Sequence, residues 1–246
     1  MADWKDPQQT RSAWGAAPQP QLNGADIGAV TMDQGLRKYM LSIYNYMASG
    51  VLLSGIVAML FAESGLALQV MSTPLRWVIM LAPLVFIFTM NYNRSASTLQ
   101  MMYWSFCVIM GLSLSTIFLV FTDGSIATTF AATAGAFAGL SLFGYTTKRN
   151  LSAMGSFMMM GLFGIIIAML LNMWVGSTAL ELAISILGVV IFAGLTAWHT
   201  QSLRETYYQV VGTEMMAKVV IIGALTLYLD FINMFRFLLS FLGSRE

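Results

Sequence analysis

One cysteine, Cys107, and one histidine, His199, occur in 246 residues, and each scarcity removes a class of chemistry. Cys107 lies in an apolar run and has no partner in the chain for a disulfide or a thiolate metal cluster. A lone histidine excludes multi-histidine zinc centres and would have to serve any catalytic triad by itself. Charge is scarce as well. Asp, Glu, Lys and Arg make up 9% of the chain, against roughly 25% in a soluble domain. The net charge of +1, with no basic cluster and no aromatic platform, gives nothing to hold a nucleic acid. No G-x-S-x-G elbow, G-x-S-G intramembrane-protease pattern or phosphate-cradling loop occurs. Lys218 stands at the edge of the last apolar run, not deep inside it where a retinal-type Schiff base would need a lysine. We expect no enzyme and no cofactor.

What fills the chain is apolar. Hydrophobic residues make up 58% of it and the mean hydropathy is +0.74, which makes this an integral membrane protein. Twenty methionines are scattered rather than clustered, and read as adaptable packing, not a metal relay. Residues 1–38 are polar, with Pro7, Pro18 and Pro20, and are expected as a disordered tail without the apolar core of a signal peptide. The transmembrane domain is expected over 39–246. About 20 apolar residues cross the hydrocarbon, and seven segments are expected to do so: Tyr39–Ala62, Trp77–Tyr92, Leu99–Phe121, Ser125–Thr146, Leu151–Trp174, Thr178–Thr200 and Val219–Leu242. The second is short and contains Pro83. Between the last two lies the polar run Ser202–Glu214. With the N-terminus in the cytoplasm, nine basic residues (Lys5, Arg11, Arg37, Lys38, Arg94, Lys148, Arg149, Arg204 and Lys218) fall on that side and only Arg76 and Arg245 on the other. Positive charge stays inside, so the expected topology is N-in, C-out.

Two further features stand out. The segment SIATTFAATAGAFAGLSLFG is rich in small residues that let helix backbones approach closely, and Gly161, Gly164, Gly188 and Gly194 are expected to serve similar packing. The last run, ALTLYLDFINMFRFLLSFL, carries a carboxylate, Asp230, in its interior and Arg236 one and a half turns later. An ionisable group at that depth is costly and points to function. The bland reading of Asp230 is a structural group hydrogen-bonded to Tyr228, Asn233 or the small-residue helices.

Three stretches, LRKYMLSIYNYMASGVLLSGIVA (36–58), LSLFGYTTKRNLSAMGSFMMMGLFGIIIA (140–168) and LTLYLDFINMFRFLLSFLG (225–243), resemble the Bax-inhibitor family of seven-span membrane proteins in its bacterial branch. The resemblance implies an all-α bundle in the bacterial inner membrane, with the last helix central among the other six. It also implies a buried acid on each of the last two spans, forming a pH-sensitive latch linked to a calcium-permeable leak. Asp230 matches the seventh-span acid. In AWHTQSLRE the sixth-span acid is replaced by His199. Arg94 falls near the basic end of the second span that can reach the latch in relatives, and Asn150 stands where relatives commonly have an acid. The family also implies a second activity, binding and restraining a membrane-bound protease.

The substitution changes the chemistry. Two close carboxylates share a proton and, once ionised, offer oxygen ligands with two negative charges to a hard cation. A His199–Asp230 pair offers one negative charge at most, and none overall once the imidazole is protonated. Calcium at Asp230 is therefore expected to be weak, while sensitivity to pH survives, because histidine titrates near neutrality. Two function classes follow: a pH-sensitive calcium or proton leak gated by Asp230 and His199, or a regulator of a membrane protease. Spacing alone leaves contact between the two residues open. His199 lies near the cytoplasmic end of its expected span, and Asp230 lies about 15–20 Å into the last one at 1.5 Å per residue.

Overall fold

The computed structural model describes residues 24–244, with side chains placed for 32–70 and 72–244. Its regular elements are α1 (Gly24–Glu63), α2 (Leu66–Met71), α3 (Leu75–Thr89), α4 (Ala96–Leu114), a 3-10 turn (Ser115–Leu119), α5 (Asp123–Thr146), α6 (Ser152–Val175), α7 (Thr178–Val210) and α8 (Met215–Leu242). No strand occurs among the described residues. This follows from the medium, because without water each backbone N–H and C=O must be satisfied within its own segment.

Compactness divides the chain between Arg37 and Lys38. On the N-terminal side, residues 1–23 of the expected tail lie outside the described residues, and 24–37 are helical. They form the beginning of α1, ahead of the apolar run at Tyr39. Propagating an existing helix costs far less than nucleating one, and no proline interrupts this stretch. On the other side, Lys38–Glu246 forms the helical body.

Among the described residues six helices are long and apolar enough to cross a membrane: α1 from Met32 onward, α4 with its 3-10 extension, and α5 to α8. The chain is thus a multi-pass membrane protein. The segment expected as a second span is α3, apolar but only 15 residues long, with Pro83 inside it. At 1.5 Å per residue it measures about 22 Å, less than the roughly 30 Å hydrocarbon core.

Helix boundaries follow local chemistry. Ser95, Thr122 and Ser177 cap α4, α5 and α7, each hydroxyl accepting the N–H three residues on, as short polar side chains do at helix starts. Asn150, ahead of α6, accepts the Ser152 N–H at 2.8 Å. Gly176 ends α6 with φ +62°, a left-handed conformation glycine adopts without a Cβ penalty.

Helix α8 is the most enclosed of the six, with 61% of its apolar window buried against 11–39% for the others. It packs against α7, α5 and α4, and α7 also packs against α5 and α6. Helix α1 joins through Ser54, whose hydroxyl donates to the Cys107 carbonyl at 2.7 Å and shares a 2.6 Å hydrogen bond with the Tyr228 hydroxyl. On α5 the buried stripe is Thr129, Thr133, Phe137, Ser141 and Gly144. Of the expected packing glycines, Gly161, Gly188 and Gly194 sit tightly against Ile191, Phe237 and Met158, but Gly164 faces open space. The packed stripe of α6 runs through Gly161, Leu162 and Ile165, and Gly164 lies at its exposed margin.

Candidate functional site: a histidine–aspartate pair on a membrane cavity

The largest difference from expectation is the length of α7. The polar run at Ser202–Glu214 was expected to be a break, yet α7 continues to Val210, and only 211–214 separate it from α8. His199 therefore lies 11 residues before the end of α7, and Asp230 lies 15 residues into α8. These are about 17 and 22 Å from the connecting turn. The two helices run antiparallel in one register along their length. Ser185 Oγ donates to Ser240 Oγ at 3.1 Å, the Phe237 ring fills the space over Gly188, and Leu203 covers Gly223.

That register brings His199 Nδ1 to 2.7 Å from Asp230 Oδ2. An ionised carboxylate only accepts, so Nδ1 carries the proton in both the neutral and the cationic ring. Asp230 is 3% exposed. Its expected structural partners are engaged elsewhere: the Tyr228 hydroxyl with Ser54, and Asn233 Nδ2 with the Leu229 carbonyl at 2.9 Å. The His199 side chain is 20% exposed, and no hydrogen bond to its Nε2 occurs among the described residues. The imidazole lies beside the Trp198 ring, centroids 4.8 Å apart, and that indole in turn covers Gly155 at the start of α6.

Both members of the pair line a cavity of about 840 Å3 between α3, α6, α7 and α8. Two heptad-like stripes carry its polar groups, Glu181, Ser185 and His199 on α7 and Thr226, Asp230, Asn233 and Ser240 on α8, with Phe192, Leu195 and Phe237 among them. Residues three and four apart share a helix face. Composition could not reveal this lining; the periodicity of the polar residues inside two apolar helices was the available signal.

Arg94 is exposed in the α3–α4 turn. That turn meets the start of α8, where Lys218 Nζ donates to the Tyr92 carbonyl at 3.0 Å. Asp230 lies 12 residues further along α8, about 18 Å away. Arg94 makes no hydrogen bond or ion pair with either member of the pair, so the geometry does not bring it to the latch position. A resident calcium fares no better. Among the described residues no three His, Cys, Asp or Glu side chains converge, whereas calcium takes six to eight oxygen ligands. Asp230 provides one carboxylate, with one oxygen already hydrogen-bonded.

Next to the pair, α7 clamps the α5–α6 turn. Gln201 Oε1 accepts the Leu151 N–H at 2.8 Å and its Nε2 donates to the Arg149 carbonyl at 2.8 Å. Arg204 donates to the carbonyls of Tyr145 and Thr147. Gln201, just ahead of the expected polar break, thus fastens the exposed α5–α6 turn to α7. Replacing Gln201 by leucine leaves the Leu151 N–H without a partner and is expected to cost about 1–2 kcal/mol. The check is limited trypsinolysis at Lys148 and Arg149, which should become faster in Gln201→Leu.

Comparison with known proteins agrees with this architecture. The family described as inhibitor of apoptosis-promoting Bax1 matches residues 36–246. The inner membrane protein YbhL of Escherichia coli is 42% identical over 219 residues, covering 86% of this chain and 94% of its own. The uncharacterised protein RP147 of Rickettsia prowazekii is 43% identical over 220 residues, 88% of this chain and 93% of its own. An uncharacterised protein of Caulobacter vibrioides is 44% identical over 237 residues, 90% and 94% of the two chains. With a match across nearly all of the membrane-spanning body and relatives similar from end to end, the chain belongs to the Bax-inhibitor family.

Proposed function

We propose that this protein is a pH-sensitive cation leak in the bacterial inner membrane, carrying protons or calcium and working without catalysis, with the His199–Asp230 pair as its gate. The observation that carries the reading is the 2.7 Å contact between the two side chains on the wall of a cavity inside the membrane-spanning body. Ionisable residues at this depth mark ion pathways and proton relays. The seven-span reading belongs to the proposal. Helix α2 packs beside the 3-10 turn at one end of the body, and the residues after α3 meet the start of α8 at the other. A 15-residue α3 with Pro83 inside it then crosses between them, the bilayer thinning beside it, with α8 as the central helix and the N-terminus in the cytoplasm.

The charge states set the direction of the pH response. Imidazolium with carboxylate is neutral overall and closes the pair as an ion pair. Loss of the imidazole proton leaves one net negative charge on the cavity wall, which draws in a cation. Cation flux therefore rises when that proton leaves and falls when it returns. One carboxylate with few other oxygens suits a proton, or a calcium ion in transit, better than a tightly held calcium.

The test is flux into liposomes over a series of pH values, read with a calcium indicator inside one set and a pH dye inside another. His199→Ala is expected to flatten the pH step while a leak persists. Identical pH profiles for the parent and His199→Ala would remove the histidine from the gate.

A further inference from the structure

The cavity holds a second intramembrane charge that the gate does not use. Arg236 lies six residues beyond Asp230 on α8, about 9 Å along the axis, and lines the same cavity. It is exposed, and no oxygen among the described residues accepts from it or pairs with it. The titratable groups that share its cavity are elsewhere. Asp230 is engaged with His199. Glu181, in the first turn of α7, stands level with the end of α8 in the antiparallel register, about 12 Å along the axis from Arg236.

The opposite wall is of another kind. Helix α6 contributes Met159, Leu162, Ile165, Ile166, Met169 and Met173, an apolar strip nearly four turns long with Asn172 as its one polar side chain. Helix α3 packs on α4, and α6 packs on α7, so the facing sides of α3 and α6 form the walls. The half-exposed Leu84, Ile166 and Met169 bring the cavity to the lipid-facing surface. A volume of about 840 Å3 is far more than a bare cation needs and falls within the usual range for a small organic ligand.

We infer that this cavity is a binding site for one anionic phospholipid from the surrounding bilayer, with its phosphate on the Arg236 guanidinium and an acyl chain along the apolar α6 wall. A planar guanidinium fork fits a phosphate in a bidentate manner, and an arginine without a partner at this depth is costly until an anion joins it. The bilayer supplies headgroup and chain together. A lipid seated here would lie within about two turns of Asp230 and narrow the space through which a cation reaches the pair.

The test uses the full chain in a neutral detergent, observed by native mass spectrometry while phosphatidylglycerol, phosphatidylcholine with the same chains, or inorganic phosphate is added. One phosphatidylglycerol adduct is expected, retained about tenfold better than the phosphatidylcholine adduct, whose choline cation competes with Arg236 for the same kind of phosphate. Arg236→Gln should erase that preference, and Arg236→Lys should keep part of it, since charge remains but the fork is lost. Equal retention of both lipids by the parent overturns the proposal, and that arm decides even if Arg236→Gln fails to fold. An unchanged preference in a folded Arg236→Gln overturns it too and leaves Arg236 snorkelling to the interface. Inorganic phosphate displacing phosphatidylglycerol at equal concentration would assign the site to a free anion and overturn the lipid assignment.

Discussion

Reconstituted Asp230→Asn protein is expected to pass cations at least about tenfold more slowly than the parent at alkaline pH, and to show no pH step. Asparagine keeps the size of the side chain and a hydrogen bond to His199 Nδ1, so shape and packing survive while the charge does not. A unit negative charge about 4 Å from a passing cation is worth about 4 kcal/mol at an effective dielectric of 20. Tenfold per 1.4 kcal/mol makes a tenfold loss a conservative figure. Liposome flux with a calcium indicator and with a pH dye is the measurement, accompanied by a melting curve in detergent to show that the variant is folded. A folded Asp230→Asn protein that leaks as the parent does would remove Asp230 from the pathway and the proposed function with it. The two variants of the pair differ in kind: His199→Ala alters how flux depends on pH, whereas Asp230→Asn alters whether flux occurs. A lipid site at Arg236 is independent of both outcomes, because it is read by adduct mass and not by flux.

The second large effect concerns the scaffold under the pair. Gly144 on α5 lies against the backbone of α7 at Ala197, two residues before His199. A Cβ at Gly144 would stand well inside contact distance of the Ala197 carbonyl oxygen, and 3.0 Å from its carbonyl carbon and Cα. Those atoms are backbone and cannot rotate away, so the helices must separate. Gly144→Val is expected to destabilise the protein by about 3 kcal/mol or more, at the upper end of overpacking costs. The separation would be felt at His199 first. SDS titration of purified protein, followed by circular dichroism, checks it, with Gly139→Val as the control. Gly139 lies on the same helix, and a Cβ there would meet nothing within 4 Å, so valine should cost less than about 1 kcal/mol. Equal losses at both positions would mean that the close α5–α7 approach does not hold the body together.

The sequence carried the class of protein because hydropathy is local. Each long apolar segment satisfies its own backbone, so six of the seven expected segments reappear as helices of spanning length. The Asp230 stretch was legible for a related reason: a carboxylate inside an apolar run stands out against its own neighbours. The α7 boundary was not. Ser202–Glu214 reads as a polar break to a hydropathy scale, but polarity does not stop a helix that keeps its hydrogen bonds. Gln201 and Arg204 spend their polar groups on the α5–α6 turn instead. Arg94 was placed near the latch by resemblance in the chain, and the α3–α4 turn lies against the start of α8 instead.

By itself, then, the sequence determined the medium, the helices, the family and the carboxylate at the centre of the last helix, each a property of a continuous stretch of residues. Only the tertiary structure decided that His199 meets Asp230, that α6 closes an apolar wall opposite them, and that Arg236 shares their cavity. Those outcomes depend on the antiparallel register of α7 on α8, which is set by Ser185 against Ser240 and Phe237 over Gly188. Such a register is a relation between residues more than 30 positions apart, and a sliding one-turn change in it would bring a different residue to Asp230 while leaving the hydropathy profile unchanged.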